Sequence, residues 1–319
     1  MNAIYNIAGV SKQSVHQHNK RLSVFDSRLD NLVLEVDLLR SQHPGCGVEK
    51  MYYTIKPDWL GRDKFVELFI GLGYRVKSHR NYTRTTIPAH FKYPNLIQGM
   101  QVTRKNQLWQ TDITYIKIGG QYYYLVFIID VYTRQVLGFS VSDHMRAEAN
   151  VKALRMAIKN CGGSIRSLIH HSDRGSQYID KEYTALLINN GAYISMGEKA
   201  QDNAYAERIN GIIKNEYLAY KNIKTFVQLK TETKKAIKHY NTKRIHRSLP
   251  GVTSPKLFEE NLLGLYSQKR PTVIIYADGN SKIKEASSHL DFMPGKEPRA
   301  HNCPIVINND CLMKTVNFS

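Results

Sequence analysis

The spacing of apolar positions changes along the chain, and each change predicts a different kind of element. Leu22, Phe25, Leu29, Leu32, Val36 and Leu39 recur at alternating spacings of three and four. Heptad spacing of this kind suits a dimer seam. It runs for fewer than three heptads, however, so the expectation is an amphipathic helix packed inside one small domain. His43-Pro44-Gly45-Cys46-Gly47 breaks that helix, and residues 49–56 and 62–72 predict two more, split around Pro57. Upstream, Ile7-Ala8-Gly9-Val10-Ser11 leads into Lys12-Gln13-Ser14-Val15-His16 and admits two readings. One is the turn and second helix of a helix-turn-helix, with Ser11 as cap and Lys12 and Gln13 facing a DNA groove. The other is an N-terminal arm carrying one capped helix.

Between residues 85 and 105 the pattern fades, and Pro88, Pro94, Asn95 and Gly99 suggest an extended linker. Residues 107–118, 121–131 and 135–142 are then β-rich, with Gly119-Gly120 a two-residue hairpin signal. The run Tyr122 to Val131 is almost wholly aromatic or aliphatic, as expected of a central strand covered on both faces. A helix at about 146–160, a strand at 165–171, a helix at 180–190, a strand at 192–196 and a helix over about 202–220 follow. Three antiparallel strands followed by alternating helices and strands is the element order of an α/β, ribonuclease-H-like domain, a mixed sheet flanked by helices. The expected domains are a helical DNA-binding region (1–84), a linker (85–105), a catalytic core (106–262) and a C-terminal extension (263–319). Within that extension Thr272-Val273-Ile274-Ile275-Tyr276 reads as a strand and Asp278-Gly279-Asn280 as a turn. The last forty residues leave a small β-unit, a DNA-binding tail and disorder open as readings.

Charge narrows the partner. Lys and Arg number 45 against 27 Asp and Glu, a formal charge of +18, which implies a polyanion, most simply nucleic acid. Cys46, Cys161, Cys303 and Cys311 are scattered without a CxxC pair, so reduced thiols are expected, not a disulfide framework or zinc ribbon. His301, Cys303 and Cys311 lack ligand spacing. No leader pattern and no bilayer-length apolar run is present in the sequence, so no membrane partner is expected and a cytoplasmic protein is.

Three acids carry the candidate chemistry. Asp112 sits in Trp109-Gln110-Thr111-Asp112-Ile113-Thr114, and Asp173 in His170-His171-Ser172-Asp173-Arg174-Gly175-Ser176-Gln177-Tyr178. Glu207 sits in Asp202-Asn203-Ala204-Tyr205-Ala206-Glu207-Arg208-Ile209-Asn210-Gly211. Phosphoryl transfer between nucleic-acid strands uses two divalent metals, and hard Mg²⁺ prefers carboxylate oxygens. Asp112 is expected on the first strand, Asp173 just after the fourth, and Glu207 in the first turns of the last helix. Asn203, Glu207, Asn210, Gly211 and Lys214 share one face of that helix, with Asp202 or Asn203 as its cap. One acid alone more often caps a helix or pairs with a base; three on these elements are hard to explain structurally. Lys243, Arg244, His246 and Arg247 follow an amphipathic helix marked by Phe226, Leu229, Ile237 and Tyr240, and suit phosphate contact. His171 and Gln177 flank Asp173, either orienting it or an attacking water, or packing.

These motifs resemble those of the bacterial insertion-sequence DDE transposases, the retroviral-integrase-like group that moves by copy-out, paste-in. Tyr240-Asn241-Thr242-Lys243-Arg244-Ile245-His246-Arg247-Ser248-Leu249, leading to Ser254-Pro255, is a further match, and the resemblance covers roughly residues 28–260. It implies a retroviral-integrase-type catalytic core with Asp112, Asp173 and Glu207 as the catalytic metal ligands, and Mg²⁺ or Mn²⁺, two ions, as cofactor. It implies that Lys214, seven residues after the glutamate, contacts DNA near the scissile phosphate, with Arg208 and Asn210 as further DNA contacts. The segment Leu29 to Tyr74 resembles the helix-turn-helix that precedes the core in these proteins. The implied partners are terminal inverted repeats and target DNA, a homo-oligomer on DNA, and a helix-turn-helix protein from an upstream frame. The implied setting is the bacterial nucleoid. Two departures stand out. The family usually has 35 residues between the second Asp and the Glu, whereas this chain has 33, a difference assigned to the loop Gly197 to Gln201. The two-His, two-Cys zinc domain of retroviral integrases has no counterpart near His43 and Cys46. The function implied is metal-dependent DNA strand cleavage and strand transfer; the rivals are a non-catalytic regulator that occupies element ends and a ribonuclease-H-type nuclease.

Overall fold

The structure, a computed structural model, describes residues 9, 11–76, 93–197, 200–262 and 271–275. The segment before Gly9, the turn at Asp278-Gly279-Asn280, the set His301, Cys303 and Cys311, and the family's loop residues 198–199 lie outside the described residues. The chain forms two compact units, one within Met1–Ser78 and one within His79–Ser319.

In the first unit, Ser11 caps α1 (Lys12–Gln42) by accepting a hydrogen bond from the Ser14 N–H at 3.0 Å. The sequence reading divides this stretch into a short capped helix and a separate amphipathic one. The structure instead runs one 31-residue helix through both, because neither Gly nor Pro interrupts it. Leu29, Leu32, Val36 and Leu39 pack against α2 (Val48–Ile55) and α3 (Arg62–Gly71) through Met51, Phe65 and Phe69. Leu22 and Phe25 stay exposed. The packed-helix expectation therefore holds for the second half of the heptad pattern only.

The second unit is built on a five-stranded mixed sheet in the order β4-β3-β2-β5-β6. Its strands are β2 (Leu108–Ile118), β3 (Gln121–Asp130), β4 (Val136–Ser142), β5 (Ile169–Ser172) and β6 (Tyr193–Met196). β2, β3 and β4 pair antiparallel, and β5 pairs parallel with both β2 and β6. Gly119 and Gly120, both at positive φ (56° and 89°), close the hairpin between β2 and β3, a turn that β-carbons would strain. Side-chain alternation on β3 feeds two cores. Val126 and Ile128 pack with Trp109, Leu154 and Tyr183 beneath α4 (Ala147–Asn160) and α5 (Lys181–Asn189). Leu125, Phe127 and Ile129 pack with Ile209, Ile213 and Tyr240 beneath α6 (Ala204–Ile212) and α7 (Phe226–Thr242).

The expected helix over 202–220 is not uniform. A 3₁₀ turn (Ala200–Asn203) precedes α6, and a π turn (Ile213–Tyr217) and a second 3₁₀ turn (Leu218–Tyr220) follow it. The wider π turn lets Ile212, Ile213, Tyr217 and Leu218 all face the core. The expected linker also differs. Asn95 donates to Asp202 at 3.2 Å, the Leu96 N–H donates to Ser195 Oγ at 2.9 Å, and Ile97 and Val102 are fully buried. Residues 93–105 are thus part of the second unit. Within them β1 (Gln101–Val102) pairs with β7 (Val273–Ile274), the strand expected after Pro271, while α8 (Pro255–Leu262) supplies Phe258 and Leu262 to the same cluster. Among the described residues no helix is long and apolar enough to cross a membrane.

Candidate active site

β2 and β5 run parallel with Trp109 opposite His170 and Gln110 opposite His171. Two residues further along stand Asp112, still on β2, and Asp173, directly after the end of β5, so the register itself brings these carboxylates to neighbouring positions. Glu207 arrives on α6, which three buried amides fasten to β2. Gln110 donates to the Asp202 carbonyl at 2.9 Å and accepts from the Tyr205 N–H at 3.0 Å. Asn203 donates to the Thr111 carbonyl at 2.7 Å. Asn210 donates to Asp112 Oδ2 at 2.8 Å. An amide in this setting satisfies main-chain groups at the helix start without placing a charge inside.

Asn203 begins α6 without a capping side-chain bond, its amide being spent on β2 instead. Asn210, read from sequence as a DNA contact, is buried and orients Asp112. The signal for this clamp was present, since an amide at an otherwise apolar strand position such as Gln110 requires a buried partner.

Burial, and then the charges of Asp173 and Glu207, push the Asp112 carboxyl up to about 8, against the bonds from Ile113 and Asn210. Asp173 is raised by burial, offset in part by the Gly175 N–H at 3.1 Å. Glu207, its side chain exposed, is raised by desolvation and by Asp173. Asp173 and Glu207 both raise the proton affinity of Asp112, and Asp173 that of Glu207, so the three form an all-oxygen donor set that a hard divalent cation would relieve. Among the described residues no three His, Cys, Asp or Glu already ring a single ion position. The donor chemistry fits such an ion.

The hydrogen bonds of both residues flanking Asp173 lead elsewhere than to the acids. His171 is buried and its Nδ1 lies 2.9 Å from Ser195 Oγ, while Gln177 donates to the Met145 carbonyl at 3.2 Å. Lys214 sits half-buried in the π turn, with its ammonium 5.0 Å from the Tyr115 ring centroid and its pKa lowered by desolvation.

The basic cluster after α7 divides. Lys243 and Arg247 are exposed, as is Arg208 on α6. Arg244 and His246 are a correction to the expected DNA surface, because both point inward. The Arg244 guanidinium donates to both Glu216 carboxylate oxygens at 2.8 and 2.9 Å and lies 3.1 Å from His246 Nε2. His246 in turn meets the Tyr240 ring edge-on at 5.0 Å. Lys12 and Gln13 are exposed on the first turn of α1, in the other unit.

A mixed five-stranded sheet in this order, with an acid on its central strand, one directly after the neighbouring strand and one on a following helix, is the arrangement of a ribonuclease-H-like polynucleotidyl transferase. The integrase core domain family matches residues 102–201, and a second integrase core domain family matches 192–253. The transposase for insertion sequence element IS629 of Shigella sonnei is 35% identical over 253 residues, covering 76% of this chain and 83% of its own. The putative transposase InsK for insertion sequence element IS150 of Escherichia coli strain K12 is 31% identical, covering 56% of this chain and 63% of its own. Among solved structures, the catalytic core domain of HTLV-2 integrase is 20% identical, with a TM-score of 0.39 over 51% of this chain and 98% of that one. The chain belongs to the insertion-sequence transposases with an integrase core domain.

Proposed function

We propose that Asp112, Asp173 and Glu207 are the catalytic residues of this transposase and hold two divalent ions, Mg²⁺ or Mn²⁺. The observation that carries this reading is the convergence on Asp112, whose carboxyl feels the charges of both Asp173 and Glu207, of one acid directly after the neighbouring strand and one on a helix clamped to β2. The chemistry such ions supply is charge neutralisation at the attacking and leaving oxygens of an in-line displacement. Asn210 fixes Oδ2 of Asp112, and the α6 clamp fixes the backbone from which Glu207 extends. Water attacks first, to free a 3′-hydroxyl at the element end, and that hydroxyl then attacks target DNA.

Lys214, Arg208, Lys243 and Arg247 carry the DNA backbone in this reading, and Lys12 and Gln13 touch DNA from the first unit. The substrates are the terminal inverted repeats and target DNA, held by an oligomer of this chain on the bacterial nucleoid. A helix-turn-helix protein from an upstream frame completes end recognition. The test is a cleavage and joining assay with DNA carrying the element's ends and Mg²⁺ or Mn²⁺. Nicking and joining by the native chain, lost in Asp112→Asn, are expected; equal activity of the two proteins would overturn the assignment.

A further inference from the structure

A ladder of alternating cations and rings runs along the β2–β3 hairpin, beginning at Lys214 in the π turn after α6. Lys214 stands over the Tyr115 ring at 5.0 Å, Tyr115 meets Tyr122 edge-to-face with centroids 5.5 Å apart, and Lys117 stands over Tyr122 at 5.4 Å. Tyr115, Lys117 and Tyr122 share one face of the hairpin, because Lys117 pairs with Tyr122 and Tyr115 with Tyr124 across the strands. β2 pairs with β5 only over Leu108–Gln110, so from Ile113 onward this part of β2 has a strand partner on one side only. Tyr122 keeps 42% of its surface exposed and Lys117 is exposed as well. At the tip of the hairpin the core contacts come from the opposite face, through Ile116, Ile118 and Tyr123.

We infer that the Lys214–Tyr115–Tyr122–Lys117 ladder is a docking surface for unpaired DNA, with bases stacking on the two tyrosines and flanking phosphates meeting the two lysines. Rings and cations interleaved in this way are what a single strand requires: π-faces for its bases and positive charge for its backbone. A closed duplex offers its phosphates but hides its base faces, so the tyrosines would contribute nothing to it. A base arriving on a ring displaces the loosely held ammonium, which then meets the adjacent phosphate. Tyr115 lies three residues from Asp112 on the same strand, about 10 Å by strand rise. An odd separation puts the two side chains on opposite faces of the sheet, and the link between them is Lys214, carried by the π turn that follows α6 and Glu207. The formal charge of +18 gives the surface its complementarity to such a strand. The inference rests on the transposase reading and adds to it a form of DNA received on the β2–β3 hairpin.

The test is competition binding by the full chain without divalent ions, so that no strand is cut. The two probes share one stem, one ending blunt and the other in an unpaired four-nucleotide tail carrying 2-aminopurine. The tailed probe should bind roughly tenfold more tightly, with the fluorophore quenched by stacking. Tyr122→Leu should remove most of that preference and the quenching, while Tyr122→Phe, which keeps the ring, should retain both. Lys117→Gln should lower the salt dependence for the tailed probe by about 0.7 in the log–log slope and leave the blunt probe unchanged. Equal affinity for the two probes, or a preference untouched by Tyr122→Leu, would overturn the inference while leaving the transposase reading intact. Failure to bind either probe would overturn both.

Discussion

Asp112 is held in a state that works against the stability of the protein without its ions. Its carboxyl is raised to about 8 by burial and by Asp173 and Glu207, whereas in an unfolded chain it titrates near 4. Between those values the native state binds more protons than the unfolded state, so this residue's contribution falls as pH rises through that window. Asp112→Asn removes the charge, keeps the size and still offers Asn210 an oxygen to bond. The expected outcome is a melting temperature at pH 7.5 several degrees above the native chain in EDTA, together with loss of strand cleavage. A variant that melts lower would show that the carboxylate stabilises the fold despite its burial. The same shift couples the ions to pH, since an ion must displace the proton. Apparent Mn²⁺ affinity, measured by calorimetry, should therefore rise by up to tenfold per pH unit from 6 to about 8 and then level off. A flat profile would sink the link between Asp112 and the ion.

At the scale of elements, α6 matters as a lever that the buried amides lock to β2. Asn210→Ala should leave the fold intact and lower cleavage activity by about 10- to 100-fold, as the loss of a residue that orients a metal ligand does; activity within twofold of native would deny Asn210 that role. The residues after α7 divide by burial in the same way. Arg244→Ala leaves Glu216 without its two short bonds and should cost about 3–5 kcal/mol, read by denaturant unfolding. Lys243→Ala with Arg247→Ala should barely alter stability but lower the salt slope of DNA binding by about 0.9 for each phosphate that is no longer neutralised. The reverse pattern would put Arg244 on the DNA surface after all. Strands β2, β3 and β4, helix α4 and the Gly119-Gly120 turn were legible because alternation, apolar runs and paired glycines act locally. The fate of Arg244 and His246 was not, because Glu216 lies 28 residues from Arg244 and a basic cluster carries no mark of which members find an inward partner. The π turn was equally hidden: four apolar residues near the end of α6 can be buried together only if the helix widens, and the core around them decides that.

For the molecule as a whole, the decisive contact joins residues that the sequence places far apart. The stretch read as a linker supplies β1, Ile97 and Val102, and the stretch read as an extension of unknown role supplies β7, Val273 and Ile275, to one cluster. Tyr132, Tyr205, Leu249 and Phe258 from the intervening chain close around them. Composition concealed this, because Pro94, Asn95 and Gly99 mark an irregular backbone but say nothing about whether it packs. Both ends of the segment pack into that cluster, so a chain stopped after Leu262 should lose β7 and uncover Val102 and Ile97. Burial of Ile275 and Val273 contributes on the order of 2–4 kcal/mol at the usual value for aliphatic side chains, and the two-residue pairing adds register. The truncated chain should therefore melt several degrees below the full chain. Ile275→Ala in the full chain should reproduce part of the loss, and Val102→Ala with Ile275→Ala should fall short of additive because the two share one cluster. A truncated chain as stable as the full one would return residues 263–319 to the status of an appendage and leave the core to end at α8.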